Sequence, residues 1–230
     1  DSNLADVDVV LDSEGNPHIV HMRDNSANRV TYTTKVDGIW SEQVLTGMYA
    51  LEDFSLTIDS NDVLHLYSGK HYLRNYQCSS NCDSFSSWSQ VSSTAIEQSL
   101  KDMDSTMDMQ DNVHGVYVNQ SGTYYFDESG NIAQISIHTS HTSTAVNTRV
   151  SIDAAPDGSL HVASINHTIS SVYYSSCSSN CDSSSSWNTE LVSNDTTSQA
   201  IIQVDADGTP SGIKLIGGSH ADNLSFSVSS

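Results

Sequence analysis

Five similar segments of the chain place a polar residue at one shared position, six residues before an aspartate that opens a turn. Three of these residues are acids and two are amides. Carboxylate and amide oxygens are the hard ligands that Ca²⁺ accepts, so the set predicts a cation site if the fold brings it around one axis. The predicted ligands are Asp6, Asp53, Asp102, Asn147 and Gln199, which precede Asp12, Asp59, Asp108, Asp153 and Asp205.

Two other interpretations of the same acids stay open. Asp6, Asp53 and Asp102 would suit a glycoside hydrolase, which needs one protonated and one ionised carboxyl group. In such enzymes the two groups lie about 5–5.5 Å apart for retention or about 6.5–9.5 Å apart for inversion. Alternatively, the acids line a solvated channel, where Arg149 and bound water relieve their charge.

A repeated phrase, a turn followed by a strand that begins with histidine, predicts the elements that position these acids. The intervals between His18, His65, His114, His161 and Ser211 are 47, 49, 47 and 50 residues. A period of roughly 40–50 residues built from short strands is typical of a β-propeller, in which the first strand of each blade is the innermost.

Alternating apolar residues between turn residues predict four antiparallel strands in each repeat. The sequence therefore predicts an all-β, five-bladed β-propeller of four-stranded blades, as a single domain over 1–230. Because the last repeat lacks a fourth strand, either blade five has three strands or the chain is part of a longer protein with more blades. The predicted blades span roughly 4–47, 50–94, 99–140, 144–194 and 197–230.

The four cysteines form two identical phrases, Cys78-Ser-Ser-Asn-Cys82 and Cys177-Ser-Ser-Asn-Cys181, each shortly before a tryptophan. A zinc site would favour C-x2-C spacing with further ligands nearby. We therefore expect two local disulfides, Cys78 to Cys82 and Cys177 to Cys181. Disulfides persist in oxidising compartments, so the protein is expected to be secreted or displayed at the cell surface.

The repeated histidines are expected to be structural. His18, His65, His114 and His161 begin second strands at the end of the blade opposite the acids, and they lie one in each blade. Each imidazole is predicted to bond its turn aspartate or a nearby backbone group.

The chain resembles the bacterial extracellular propellers built from sialidase-like (BNR-type) repeats. The resemblance rests on the Asp-Ser-x-Gly-x-x-His strand openings, the Tyr173-Tyr174 pair and the Cys-Ser-Ser-Asn-Cys turns before tryptophan. It covers nearly the whole chain, and it implies a blade type rather than an activity.

The charge of the chain excludes several partners. Against 8 Lys+Arg stand 28 Asp+Glu, which gives a net charge of -20. Nucleic acid and anionic membranes are therefore poor partners, and no stretch approaches the ~20 apolar residues of a membrane span. The sequence leaves the oligomeric state open.

The loops on the face of the acids carry aromatic and planar polar side chains, which suit sugar binding on a rigid rim. We expect a non-catalytic recognition module, carbohydrate-binding or adhesive, that binds a glycan or another extracellular surface ligand. The alternatives are the glycoside hydrolase and a structural domain of a larger extracellular protein. The predicted ligand-binding residues are Tyr49, His71, Tyr72, Arg74, Arg149, Asn166 and His167.

Overall fold

A computed structural model of the chain shows two compact units, Asp1–Ile96 and Glu97–Ser230. The structure describes residues 3–24, 29–46, 48, 53–136, 150–166, 169, 171–194, 199–215 and 223–227. Within these ranges, side chains are described except at 3–6, 23–24, 29, 199, 212–215 and 223–227.

The first unit contains two antiparallel sheets, and successive strands are neighbours in both. We call these sheets blade one and blade two. Blade one consists of β1 (Asn3–Leu11), β2 (Pro17–Asp24), β3 (Arg29–Val36) and β4 (Ile39–Val44). Blade two consists of β5 (Asp53–Ile58), β6 (Leu64–Gly69), β7 (Tyr72–Cys78) and β8 (Ser89–Ala95).

The second unit contains two four-stranded sheets and one three-stranded sheet of the same kind. Blade three consists of β9 (Asp102–Met107), β10 (Val113–Asn119), β11 (Gly122–Asp127) and β12 (Ile132–Ser136). Blade four consists of β13 (Ser151–Ala154), β14 (Leu160–Asn166), β15 (Ser171–Cys177) and β16 (Asn188–Ser193). Blade five consists of β17 (Gln199–Val204), β18 (Pro210–Leu215) and β19 (Asn223–Ser227).

These five sheets confirm the predicted all-β, five-bladed β-propeller, and three strands are described in the fifth blade. The predicted strands all have counterparts, because period-2 alternation and turn residues mark short strands well. The prediction that 1–230 forms a single domain stays a prediction. Within the described ranges, no helix is long and apolar enough to cross a membrane.

A shared hydrogen-bond pattern closes the first turn of each blade and corrects the sequence alignment. In blade one the Asp12 N–H donates to the Asn16 carbonyl and the Gly15 N–H donates to the Asp12 carbonyl. In blade four the residue with these two bonds is Ala155, not Asp153. Counting back six residues from Ala155 reaches Arg149 instead of Asn147, so the alignment of blade four was wrong by two residues.

Apolar side chains pack between consecutive sheets of the same unit. Val20 and Val30 of blade one pack with Phe54, Leu56 and Leu66 of blade two in one buried cluster. In the second unit, one such cluster joins blades three and four and another joins blades four and five. The core therefore lies between the sheets, and the first strands of blades two, four and five contribute buried side chains to it.

Candidate functional site

The carboxylates of the first strands bond the backbone of neighbouring blades. Asp8 in blade one accepts the N–H of Val9 through Oδ1 at 2.8 Å. Its Oδ2 accepts the N–H of Leu56 in blade two at 2.8 Å and the hydroxyl of Ser55 at 3.3 Å. One carboxylate thus bridges the first strands of two blades.

The same arrangement recurs between blades three and four. Asp104 accepts the N–H of Ser105 at 2.9 Å through Oδ1 and the N–H of Ile152 at 3.0 Å through Oδ2. Two residues earlier on β9, Asp102 Oδ2 accepts the N–H of Val150. Asp102 and Asp104 of β9 therefore both bond the backbone at the start of blade four, at Val150 just before β13 and at Ile152 within it.

Blade four bonds blade five through Asp153. Its Oδ1 accepts the N–H of Ala154 at 2.9 Å and the Thr106 hydroxyl at 3.3 Å, while its Oδ2 accepts the N–H of Val204 at 2.7 Å. First strands are sheet edges, whose N–H groups have no ladder partner on one side. A carboxylate makes strong, charge-assisted hydrogen bonds with such donors, so these acids act as clamps between blades.

The predicted cation and catalytic positions lie on the same strands. Asp53 is 4% exposed and Asp102 is 6% exposed, so both carboxyl groups are buried. Asp6 and Gln199 lie in β1 and β17, but their side chains are outside the described part, as is all of Asn147. Among the described residues, no group of three or more His, Cys, Asp or Glu is placed to hold a metal ion. The cation site and the hydrolase site both stay predictions.

Three of the four repeated histidines contact their turn aspartates, as predicted. His18 Nε2 lies 3.4 Å from Asp12 Oδ2, and its Nδ1 lies 2.5 Å from the Tyr32 hydroxyl. His114 makes the equivalent contacts with Asp108 at 3.2 Å and with Tyr125 at 2.8 Å. Each imidazole therefore ties the first turn to the third strand of its blade.

Blades two and four vary this arrangement. His65 contacts Asp59 at 3.5 Å and Gln77 at 3.2 Å, so an amide stands in for the tyrosine. In blade four, His161 Nδ1 lies 2.6 Å from the Tyr174 hydroxyl and its Nε2 lies 2.9 Å from the Ser159 hydroxyl. The Ser159 hydroxyl donates to Asp157 at 2.7 Å, so a serine separates histidine and carboxylate there.

Burial and these hydrogen bonds shift the pKa values of Asp108, His161 and Tyr32. Burial raises the pKa of Asp108, but hydrogen bonds from Asn112, His114 and Gln110 outweigh it and hold that pKa below its ordinary value. Burial lowers the pKa of His161 despite the nearby acids. Burial also raises the pKa of Tyr32 to about 12, so its hydroxyl stays protonated in the physiological range.

Both predicted disulfides form, Cys78 with Cys82 and Cys177 with Cys181. Trp88 Nε1 donates to the Cys82 carbonyl at 2.8 Å, and the Trp88 ring meets Tyr32 of blade one edge-on, with centroids 6.2 Å apart. Trp187 Nε1 likewise donates to the Cys181 carbonyl at 2.9 Å, and its ring lies 5.6 Å from Tyr125 of blade three. Each disulfide turn therefore fixes a tryptophan against the preceding blade.

The predicted ligand-binding residues divide into two groups. In blade two, Tyr72 is 47% exposed, the Arg74 guanidinium lies 5.3 Å from its ring centre, and His71 is exposed in the adjacent turn. In blade four, Asn166 is buried and its Oδ1 accepts the N–H of Ile169 at 3.4 Å. The remaining predicted residues lie outside the described part: Tyr49, Arg149 and His167.

No protein-family model matches the sequence, and no curated protein matches it. Solved structures are similar to it in fold. One is AofleA from Arthrobotrys oligospora, with a TM-score of 0.62 and 10% identity over 99% of this chain and 69% of that one. Another is a protein of unknown function from Dyadobacter fermentans DSM 18053, with a TM-score of 0.66 and 9% identity over 99% and 79%. A third is an α-L-arabinofuranosidase from Lactobacillus brevis, with a TM-score of 0.56 and 10% identity over 98% and 90%.

These likenesses place the chain in the class of β-propellers. At about a tenth identity they show the fold alone, and the resemblance to BNR-type repeats stays a prediction. The sequence pattern did not predict that the first-strand acids bond the backbone of neighbouring blades. Its one available signal was the spacing of 48 residues between Asp8 and Leu56 and between Asp104 and Ile152.

Proposed function

We propose that this β-propeller is a secreted or cell-surface recognition module that binds carbohydrate without catalysis. The observation that carries the proposal is the exposed group on the rim of blade two. Tyr72 presents half of its surface to solvent, Arg74 lies over the ring, and His71 follows the turn. An aromatic face flanked by planar hydrogen-bond donors is the arrangement that sugar rings need for stacking and orientation.

The position of these residues supports the proposal. Leu73 and Asn75 alternate with Tyr72 and Arg74 along β7, and both are buried, so the strand is anchored from its other face. The rim therefore holds its two side chains on a rigid element rather than on a loose loop. Rigid presentation lowers the ordering cost of binding a flexible ligand such as a glycan.

The engagement of the inner acids supports recognition over hydrolysis. Asp102 is bonded to a backbone N–H of blade four, and Asp53 is buried. A hydrolase needs one carboxylic acid free to donate a proton and a second one free to attack or to activate water. The two disulfides support an oxidising location outside the cytoplasm.

A glycan-array screen of the native chain and of Tyr72→Ala tests the proposal. Tyr72→Ala is expected to weaken binding at least tenfold, a loss of about 1.4 kcal/mol, because it removes the stacking face. Met109→Ala, which alters an exposed side chain on a turn of blade three, is the matched control and should bind as the native chain does. Running the array with and without EDTA tests the predicted Ca²⁺ as well.

The outcomes separate the three functions. Equal binding by the native chain and Tyr72→Ala would move the site away from blade two. Absence of binding to every sugar would favour a structural domain of a larger extracellular protein. Release of reducing sugar from an oligosaccharide, abolished by Asp53→Asn, would favour the glycoside hydrolase.

A further inference from the structure

Positive charge is concentrated at one end of blade two. Of the 8 Lys+Arg in the chain, Lys70 and Arg74 lie only four positions apart, with His71 between them. The stretch 63–96 contains one acid, Asp83, although the chain holds 28 Asp+Glu in 230 residues. A net charge of -20 repels anions from most of the surface, whereas at this end of blade two an anion meets nearby cations.

Four neighbouring side chains form this surface. Lys70 and His71 are exposed in the turn between β6 and β7, Tyr72 is exposed at the start of β7, and Arg74 is half-buried two residues later. The Arg74 guanidinium lies 5.3 Å from the centre of the Tyr72 ring. Within the described part of the chain, no hydrogen bond or ion pair joins that guanidinium to another residue. We call these four residues the basic rim.

A buried hydroxyl lies beside Arg74. Ser68 pairs with Arg74 across β6 and β7, and Phe54 pairs with Ser68 across β5 and β6, so the three side chains share one side of the sheet. On that side Phe54 packs with blade one, in the same unit. Ser68 is fully buried, and its hydroxyl has no hydrogen-bond partner among the described residues. A buried donor without an acceptor is destabilising, so an acceptor brought next to Arg74 is favoured there.

Blade four keeps the framework of blade two without the basic rim. Both blades have the Cys-Ser-Ser-Asn-Cys turn, so counting back from Cys78 and Cys177 matches their third strands. The matched pairs are Lys70 and Ile169, His71 and Ser170, Tyr72 and Ser171, and Arg74 and Tyr173. The neighbouring strand has serine in both blades, because Ser164 pairs with Tyr173 as Ser68 pairs with Arg74. The framework alone therefore does not require the cations and the exposed ring of blade two.

The chemistry of Arg74 and Tyr72 identifies the ligand that suits them. A guanidinium that stacks on a ring uses its flat face, and the N–H groups along its edge stay available. Those N–H groups form a planar fork that matches the two oxygens of an oxyanion. The exposed part of the Tyr72 ring offers an apolar surface to the C–H groups of a sugar. An acidic group carried on a sugar ring uses both features.

We propose that the basic rim binds an acidic saccharide, whose carboxylate or sulfate group accepts hydrogen bonds from Arg74 while the sugar ring packs on Tyr72. This inference rests on the proposed function, since it names the class of carbohydrate that the same surface takes. Lys70 adds a second positive charge, which raises the rate at which an anionic ligand reaches the site. A neutral sugar brings no charged acceptor to Arg74, so it binds more weakly.

Isothermal titration calorimetry with oligosaccharides of equal length tests this inference. The whole chain is titrated with an oligomer of galacturonic acid, with the corresponding oligomer of galactose and with a sulfated galactose oligomer. At low salt, at least one acidic oligomer is expected to bind about tenfold more tightly than the neutral one or better. In about 0.5 M NaCl this difference should shrink, because salt screens charges that are partly exposed. The two acidic oligomers distinguish a carboxylate from a sulfate as the bound group.

Substitutions at Arg74 assign the preference to the basic rim. Arg74→Gln is expected to raise the Kd for the acidic oligomer at least about tenfold and to leave the Kd for the neutral one within about twofold. Lys101→Gln removes one positive charge from an exposed residue of the other unit and is the matched control. If Arg74→Gln lowers the melting temperature, Arg74→Lys replaces it, and an intermediate loss is expected because the charge stays and the fork is lost.

The outcomes separate this inference from the proposed function. Equal affinity for acidic and neutral oligomers, with both lost in Tyr72→Ala, would overturn the inference and leave the proposed function standing. Absence of binding to all three oligomers would overturn both. Equal weakening by Arg74→Gln and Lys101→Gln would also overturn the inference, because the acid would then respond to the charge of the whole chain rather than to the basic rim.

Discussion

Blades one and three differ from blades two and four in a way that repeats along the chain. Blades one and three carry the bridging aspartates Asp8 and Asp104, which lie 96 residues apart. Blades two and four carry the disulfide turns and the buried tryptophans Trp88 and Trp187. In the contacts between blades one and two and between blades three and four, the first blade therefore supplies the carboxylate acceptor and a tyrosine, and the second supplies backbone donors and a tryptophan.

This difference teaches that the repeating unit is a pair of blades. Blades one and two lie together in the unit that ends at Ile96, and blades three and four lie together in the unit that follows. Within each pair the contacts are of two kinds, carboxylate to backbone near the first strands and tyrosine to tryptophan near the fourth. Among the described carboxylates that bridge two blades, Asp153 of blade four is the one that bonds blade five.

Removing a buried tryptophan is expected to have the largest effect on the contact between two paired blades. Trp187→Ala is expected to lower the free energy of unfolding by about 3–5 kcal/mol, because it leaves a cavity beside Tyr125 and removes the ring contact. Denaturant unfolding followed by circular dichroism measures the loss. Trp88→Ala should match it if the two pairs are equivalent.

The tryptophan of blade one is the control for that experiment. Trp40 precedes the β4 residue that pairs with the partner of His18, as Trp88 precedes the β8 residue that pairs with the partner of His65. Because Trp40 is 54% exposed, Trp40→Ala should change the free energy of unfolding by less than about 0.5 kcal/mol. A loss for Trp40→Ala as large as that for Trp187→Ala would contradict the account of paired blades.

Replacing a bridging carboxylate comes next in size. Asp104→Ala removes the acceptor of the Ser105 and Ile152 N–H groups and is expected to cost about 1.5–3 kcal/mol, the range for hydrogen bonds to charged groups. Thermal and urea unfolding measure it. Glu128→Ala, on an exposed turn of the same blade, should be nearly neutral.

A double-mutant cycle sharpens this test. If Asp104 acts through blade four, Asp104→Ala and Trp187→Ala should be non-additive, since both loosen one interface. Strict additivity would mean that the carboxylate serves its own strand through Ser105 rather than the pair.

The acids of the first strands show which features of the structure could be predicted from the sequence. Strands and turns follow from local alternation, and the disulfides follow from a spacing of four residues, so both were predicted. The role of Asp104 depends on Ile152, which is 48 residues away, and a single sequence gives no register for that contact. Acids at a shared position therefore suggested a ligand, although one of them, Asp102, accepts a backbone N–H of blade four.

Blade four shows the second limit. Its turn has Ala155 where the others have aspartate, and the side-chain acceptor moved to Asp157. The nearest upstream aspartate, Asp153, resembles a turn residue in the sequence but clamps Val204 in the structure. An alignment based on aspartates alone therefore takes Asp153 for the turn residue of blade four, because Asp153 and Asp157 have different roles and lie only four residues apart.

Opening a disulfide turn should have a smaller effect than removing Trp187 and an effect no larger than that of Asp104→Ala. Replacing Cys177 and Cys181 together by serine is expected to cost about 2 kcal/mol, because the bridge closes a loop of only a few residues. The intrinsic fluorescence of Trp187 should shift to longer wavelength if the turn also holds the ring in place. An unchanged free energy of unfolding would mean that the tryptophan alone fixes this turn.

Lowering the pH should reduce the free energy of unfolding through His161 by less than any of these substitutions does. Burial lowers the pKa of His161 in the folded chain, so the folded state favours the neutral ring. Stability from this group is complete above the unfolded value of about 6.5 and is lost as pH falls through the folded value. Asp108 adds a second loss at lower pH, since its folded pKa also lies below the ordinary value and its carboxylate stabilises the fold only while ionised.

Unfolding measured across a pH series separates the two groups. His161→Gln should flatten the stability curve below about pH 6.5 and leave the lower step intact. Asp108→Asn should flatten the step below about pH 4 and leave the upper one intact. The pair of variants also compares the two kinds of blade, because His114 contacts Asp108 directly whereas Ser159 lies between His161 and Asp157. A steeper upper step in His161→Gln than in the native chain would show that the neutral imidazole does not stabilise blade four.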